Sequence, residues 1–293
     1  MHIFEGFLPS PWWQLWFVFS IPVIMFGMYR LNKLVSERRD LLPLLAVAGA
    51  FIFVLSSLKL PSVTGSSSHP TGTGMAAIMF GPAVTAVLSV IVLLYQALFL
   101  AHGGLTTLGA NVASMGIIGP VVAYLIYKAG MKANINFYVV VFLAATFADW
   151  ITYVVTSTQL ALAFPSQAGG FWGSFQAFAA IFATTQVPLA DQGAFCMKIG
   201  KGEILFAVIA VLFVASFFYG MAANPGSEFG GADGAAEEVI TDVTGGYEPW
   251  IGNIGFEPPG GETESLLFAL QAAIGAVVIG YFFGYYKGKG RSD

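Results

Sequence analysis

Eight apolar stretches divide the chain, at residues 12–29, 41–60, 74–101, 106–127, 137–163, 171–190, 203–222 and 265–286. Most are close to the ~20 residues that cross ~30 Å of hydrocarbon as an α-helix. None shows the short alternating segments of a membrane β-barrel. Only helices satisfy their own backbone groups in lipid. The pattern therefore predicts an all-α integral membrane protein, a polytopic helical bundle. The stretch 74–101 is longer than the rest, and Gly81-Pro82 interrupts it. One long tilted helix and two short helices that enter and return both fit it.

The charged positions separate these readings. Arg30, Lys33, Arg38 and Arg39 follow the first stretch, and Lys128 and Lys132 follow the fourth. Lys198 and Lys201 precede the seventh, and Lys287, Lys289 and Arg291 close the chain. The positive-inside rule places all four groups in the cytoplasm. That requires an extracytoplasmic N-terminus and an even number of crossings between Lys59 and His102, so 74–101 is expected to enter and return. About nine transmembrane crossings result, seven before residue 200 and two after it. The same topology leaves residues 223–264 outside. They hold nine of the sixteen acids and no Lys or Arg, and their Gly and Pro content predicts a mostly irregular loop. Such a loop is either a solvated acidic surface or one that attracts cations and docks on a metal site.

Composition narrows the class. The chain has 293 residues, 57% hydrophobic and 10% charged, with a mean hydropathy of +0.77. Soluble domains carry about 25% charged residues, so a cytosolic enzyme and a disordered chain are both excluded. The single cysteine, Cys196, rules out a disulfide framework and a thiolate metal cluster. A net charge of -4 supplies no basic patch for nucleic acid. No Lys or Arg precedes the first apolar run, so the basic region of a cleavable signal peptide is missing. No Gly-x-x-x-x-Gly-Lys-Ser/Thr, His-Glu-x-x-His or Gly-x-Ser-x-Gly motif is present. The expectation is a protein that is not an enzyme, and whose energy for concentrating an ion comes from a partner or an ion gradient.

Histidine is scarce: His2, His69 and His102, all on the extracytoplasmic side of the expected topology. Position 2 has a chemical consequence. The Met1 amine, the His2 backbone nitrogen and the His2 Nδ1 can chelate one ion through fused five- and six-membered rings, nearly in a plane. The bulky His2 side chain also discourages removal of Met1. His69 is the candidate for the fourth corner, in the Gly/Ser-rich loop Val63 to Gly74 on the same side. Pro70 and the glycines predict a fixed, non-helical path there. Hydroxyls of Ser66, Ser67, Ser68 and Thr71 are candidates for orienting the imidazoles. Planar nitrogen ligation suits Cu²⁺ or Ni²⁺, imidazole also suits Co and Zn, and Mg²⁺ and Ca²⁺ fit poorly. His102, in His102-Gly103-Gly104-Leu105-Thr106-Thr107-Leu108-Gly109-Ala110-Asn111, reads first as a helix-boundary residue bonded to backbone. The alternative is a supporting or transient ligand. Asp149 is an ionisable group inside an apolar span, where such groups usually face the bundle interior. It either helps to carry an ion or bonds to Thr152, Tyr153 or a neighbouring helix. Asp191 reads as a helix-end or partner-contact residue.

Met1-His2-Ile3-Phe4-Glu5-Gly6-Phe7-Leu8-Pro9 followed by Trp12-Trp13, the His69 loop and the His102 to Asn111 stretch resemble the substrate-binding membrane component of energy-coupling-factor transporters for cobalt and nickel, the CbiM and NikM family. This covers residues 1–200. Residues 201–293 resemble the small protein CbiN of the same systems. The likeness rests on the loop Glu228 to Glu237, with Gly230, Gly231, Asp233 and Gly234, and on Tyr247-Glu248-Pro249-Trp250, Phe256-Glu257-Pro258 and Gly261 to Gln271. The whole chain thus resembles a fusion of the two, joined near Lys198 to Glu203. The resemblance implies metal ligation by Met1, His2 and His69. It also implies a transmembrane coupling protein and ABC-type ATPase subunits as partners, in the cytoplasmic membrane of a prokaryote. It further implies loading assisted by the CbiN-like loop, and transport of Co²⁺ for cobalamin synthesis, with Ni²⁺ as the alternative that the coordination chemistry favours. Two rivals remain: an ion-gradient-driven carrier using Asp149, and a non-transporting membrane scaffold.

Overall fold

A computed structural model describes residues 2–61, 67–185, 214–215, 218–219, 221–224 and 231–289. The described chain is a helical bundle. Helix α1 spans Trp12–Glu37, α2 Leu42–Leu55, α3 Thr73–Phe80 and α4 Pro82–Phe99. Helix α5 spans Leu108–Lys132, with π-helical hydrogen bonding over Val112–Ile118. Helix α6 spans Phe137–Ala163, α7 Gly170–Thr185, α8 Ala232–Thr244 and α9 Gly261–Lys289. The only sheet among the described residues is a two-residue antiparallel pairing of β1 (Leu60–Pro61) with β2 (Ser67–Ser68). Five of the helices, α1, α4, α5, α6 and α9, are long and apolar enough to cross a membrane. The expected span at 203–222 lies largely outside the described residues.

The expected break at Gly81-Pro82 is present. Gly81 ends α3 at φ 81°, a left-handed conformation that favours glycine. Pro82 then opens α4 at a first-turn position, where its missing N–H has no helical partner to lose. Helix α3 starts four residues after His69 and α4 ends three residues before His102. The imidazoles of those two histidines meet at 3.3 Å, so the chain leaves and returns to one place.

Helix α3 is short; its eight residues rise only about 12 Å. Thr71 lies against Asp149, near the midpoint of the 27-residue α6. The Asp149 carboxyl accepts hydrogen bonds from the Thr71 backbone N–H at 3.2 Å and from its hydroxyl at 2.7 Å. Irregular backbone at such depth persists only where protein groups satisfy it. Asp149, fully buried, does that here. Its bonds to Thr71 go to a loop, where the sequence suggested Thr152, Tyr153 or a neighbouring helix.

Small residues bring the inner helices close. A side chain at Gly74 would meet Ala145 and Ala148 at 3.1 Å, and one at Gly109 would meet the backbone of Phe17 at 2.7 Å. Close approach of this kind is how helices associate without a hydrophobic drive between them. Large apolar residues such as Val18, Met25, Leu125, Val277 and Phe283 face outward, as a lipid-facing surface requires.

The expectation of a mostly irregular 223–264 misses one helix. Thirteen of those residues form α8, not irregular loop. Ala232, Ala236 and Ile240 recur every four residues and are buried. They pack into one core with Ile3, Phe7, Leu8, Phe178 and Phe182. Gly231 precedes the helix, Gly234 lies within its first turn, and Gly245 ends it at φ 77°. They punctuate the segment without dissolving it.

Replacing Asp149 with Ala is expected to cost about 2 kcal/mol, the scale of a buried hydrogen bond to a carboxyl group. Asp149→Asn keeps an acceptor for the Thr71 N–H and is expected to cost less than half as much. Unfolding curves of the detergent-solubilised variants measure both.

Candidate metal centre

Four segments remote in sequence meet at one place. His2 comes from the N-terminal segment, His69 from the turn before α3, His102 from the link between α4 and α5, and Asp233 from the first turn of α8. All four are buried, with 2 to 9% of their surface exposed. His2 Nδ1 lies 3.3 Å from His69 Nε2, which lies 3.3 Å from His102 Nε2. Asp233 Oδ2 is 3.8 Å from His2 Nδ1 and 3.6 Å from His102 Nε2. The other oxygen of Asp233 accepts the His2 backbone N–H at 3.2 Å.

The N-terminal segment has no helix or sheet of its own, so its backbone groups find partners elsewhere. Asn111, at the start of α5, takes both polar groups of Ile3. Its Oδ1 accepts the Ile3 N–H at 2.8 Å and its Nδ2 donates to the Ile3 carbonyl at 3.0 Å. Thr107 donates to the same carbonyl at 2.6 Å. The Glu5 carboxylate accepts the N–H groups of Leu105 and Thr106, at 2.6 and 2.8 Å, and the Thr106 hydroxyl. A side chain at Gly104 would collide with the Glu5 backbone, and one at Gly103 would press on the His2 ring. This explains the Gly-Gly pair after His102. On the opposite side, Trp250 donates its indole N–H to the Leu8 carbonyl at 2.8 Å and its backbone N–H to the Gly6 carbonyl at 3.2 Å. Residues 2–8 are thus held between the 102–111 stretch and the C-terminal region.

Burial depresses the imidazoles. It lowers His2 to about 4, against the opposing effect of Asp233, and pushes His69 and His102 well below the ordinary histidine range. All three are neutral near pH 7, the state in which imidazole ligates a metal. The His69 Nδ1 sits 3.3 Å from the Pro70 carbonyl. A carbonyl only accepts, so Nδ1 carries the proton and Nε2 presents its lone pair to the cluster.

The sequence-derived site residues fare differently. His2 and His69 come together, with His2 presenting the Nδ1 that the fused-ring chelate requires. Met1, Ser66 and Gly230 lie outside the described residues. His102 sits just past the end of α4 with its backbone N–H donated to the Gln96 carbonyl at 3.2 Å, while its ring joins the cluster. The Thr71 hydroxyl goes to Asp149 instead of an imidazole, because the loop's own depth needs that bond. The Ser68 hydroxyl has no partner among the described residues. Ser67 belongs to β2 and bridges to Gly231, so it ties the loop to the C-terminal region. Gly234, in α8, has open space where a side chain would stand. Asp233 was legible as a member of the CbiN-like loop expected to assist loading, not as the partner of His2, and Asn111 and Glu5 only as members of stretches with no assigned role.

Comparison with known proteins agrees with this architecture. Residues 2–196 match the family described as "Cobalt uptake substrate-specific transmembrane region", CbiM, and residues 199–293 match "Cobalt transport protein component CbiN". A Methanosarcina barkeri protein carrying the CbiM name is 72% identical over 190 residues, covering 65% of this chain and 82% of that protein. "Cobalt transport protein CbiM" of Roseiflexus sp. is 58% identical over 190 residues, covering 65% of this chain and 76% of that protein. The crystal structure of a truncated transition metal transporter shares the fold, with a TM-score of 0.57 and 23% identity over 72% of this chain and 99% of that one. The chain is therefore a member of the CbiM family, a membrane component of cobalt transport, with a CbiN-family region joined to it on the same polypeptide.

Proposed function

We propose that the protein is the substrate-capture component of an energy-coupling-factor transporter that imports Co²⁺ for cobalamin synthesis. Residues 1–200 act as the metal-binding membrane part and residues 201–293 as the CbiN-like part. The ion is held by the Met1 amine, the backbone nitrogen and Nδ1 of His2, and His69. The observation that carries this reading is the meeting of His2 Nδ1 and His69 Nε2 at 3.3 Å in a buried site, 67 residues apart in sequence. Neutral imidazoles at that separation bind a soft or borderline divalent ion in preference to a hard one. The cobalt transport names of the relatives support Co²⁺ over Ni²⁺.

In this reading the N-terminus faces outside, the bundle makes nine crossings, seven plus two, and α8 lies on the outer side with the metal. The protein sits in the cytoplasmic membrane of a prokaryote. A transmembrane coupling protein and ABC-type ATPase subunits supply the energy, since the chain carries no nucleotide-binding loop of its own. Asp149 serves the fold and not ion coupling, in keeping with its bonds to Thr71.

Substituting His2 or His69 with Ala is expected to abolish cobalt uptake by cells carrying the full transporter, while the protein remains folded in the membrane. Uptake at the wild-type rate in both variants would refute the site. A single glycine inserted between Met1 and His2 breaks the fused rings and is expected to be nearly as damaging, read as the metal content of the purified protein. Asn111→Ala frees the Ile3 backbone and is expected to weaken cobalt affinity by about 10–100-fold, the range for groups that orient ligands. Isothermal titration of the solubilised protein measures that loss.

A further inference from the structure

The cluster contains two more donors than the chelate uses. We propose that Asp233 of the CbiN-family region and His102 complete a second, tetrahedral arrangement for the transported ion. Its ligands are His2 Nδ1, His69 Nε2, His102 Nε2 and Asp233 Oδ2, and it is this arrangement that favours Co²⁺ over Ni²⁺. The inference rests on the reading of this cluster as the cargo site.

Four of the six donor–donor separations lie close to the edges of that shape. A tetrahedron of ~2.0 Å metal–ligand bonds has edges of about 3.3 Å. A square with the same bonds has sides of about 2.8 Å. The four separations seen are 3.3, 3.3, 3.6 and 3.8 Å, and one donor atom from each of the four side chains lies within 4.8 Å of the others. The four follow one another around the ring of donors, two at the tetrahedral edge and two somewhat longer, and none is as short as a square's side.

The hydrogen bond at His2 points the same way. Planar chelation needs the His2 backbone nitrogen without its proton. Here that N–H is donated to Asp233 Oδ1. While α8 is docked, the amide is engaged and ligation falls to the side chains. The docking is well built: Ala232, Ala236 and Ile240 are buried against the same core as Ile3 and Phe7, and Gly231 bridges to Ser67 beside His69. Phe268 of α9 adds an edge contact to the His102 ring, with centroids 5.1 Å apart. The C-terminal region thus supplies one ligand and supports another.

The metal preference follows from geometry. Ni²⁺ favours square-planar or tetragonal surroundings, and divalent affinity otherwise rises from Co²⁺ to Ni²⁺. A tetrahedral set of three neutral imidazoles and a carboxylate removes that advantage. The two arrangements share His2 Nδ1 and His69 Nε2, so an ion passes from one to the other when α8 withdraws Asp233, without leaving both shared ligands.

The test uses the purified full chain in detergent, loaded with Co²⁺ alone, and reads visible absorption and electron paramagnetic resonance. The expected wild-type result is the intense d–d absorption and high-spin signal of tetrahedral Co²⁺. Asp233→Asn, Asp233→Ala and His102→Gln are each expected to lose that intensity. In competition with Ni²⁺, they are also expected to shift the bound Co:Ni ratio towards nickel by at least about tenfold, since loss of a ligand should cost no less than loss of a group that orients one. A low-spin wild-type spectrum typical of planar ligation would overturn the tetrahedral arrangement and leave the chelate reading intact. So would an unchanged spectrum and ratio in the variants. A folded wild type that retains no Co²⁺ would overturn both.

Discussion

A chain end with no helix or sheet hydrogen bonds can be buried among apolar helices only if other residues partner its backbone groups, because each unpaired group costs several kcal/mol in such surroundings. The rest of this structure depends on meeting that constraint at residues 2–8. Asn111 pairs with both polar groups of Ile3 as a neighbouring strand would. Glu5 binds the 105–106 backbone, and Trp250 caps Gly6 and Leu8 from the other side. With the segment so fixed, His2 has one position, and the histidines of two other links close around it. The π-helical turn that follows Asn111 is of the kind that often accompanies functional sites. Here it lies directly after the residue that anchors the segment.

A second buried irregular segment obeys the same rule. The His69 turn reaches the middle of α6 because Asp149 accepts from Thr71. A carboxyl group in an apolar helix invites a reading in ion movement, yet these bonds come from backbone and hydroxyl. Two of the four segments that meet at the site are thus non-helical ones fixed by a polar side chain on a long helix, Asn111 on α5 and Asp149 on α6. Neither helix contributes a donor to the histidine cluster, and each fixes a segment that does.

The C-terminal region is part of this assembly and not an appendage to it. Its helix α8 covers the N-terminal segment and brings Asp233 to the His2 amide. Its helix α9 binds α2 through Gln271, which donates to the Phe53 carbonyl at 2.7 Å, and is held further by the Lys59–Glu264 ion pair at 2.7 Å. Having both regions on one polypeptide keeps the carboxylate near the histidines at a high effective concentration. An independent small subunit would have to find the site by diffusion.

The sequence by itself determined the helical class, most span positions, the interruption at Gly81-Pro82 and two members of the cluster, His2 and His69. These are local properties: apolar run length, a glycine–proline pair, and a histidine whose place beside the chain end sets its chelate rings. It did not reveal α8, since glycines at both ends of the helix read as loop signals while Ala232, Ala236 and Ile240 became an apolar face only against Phe178 and Phe182. It also left two readings of His102 open, pointed the Thr71 hydroxyl at an imidazole, placed Asp233 in a docking loop without its partner, and gave no role to Asn111 or Glu5. Those roles exist only as pairings across 33 to 231 residues of chain. A donor's partner at such separation is set by which helices pack together, and no pattern within a single segment encodes that.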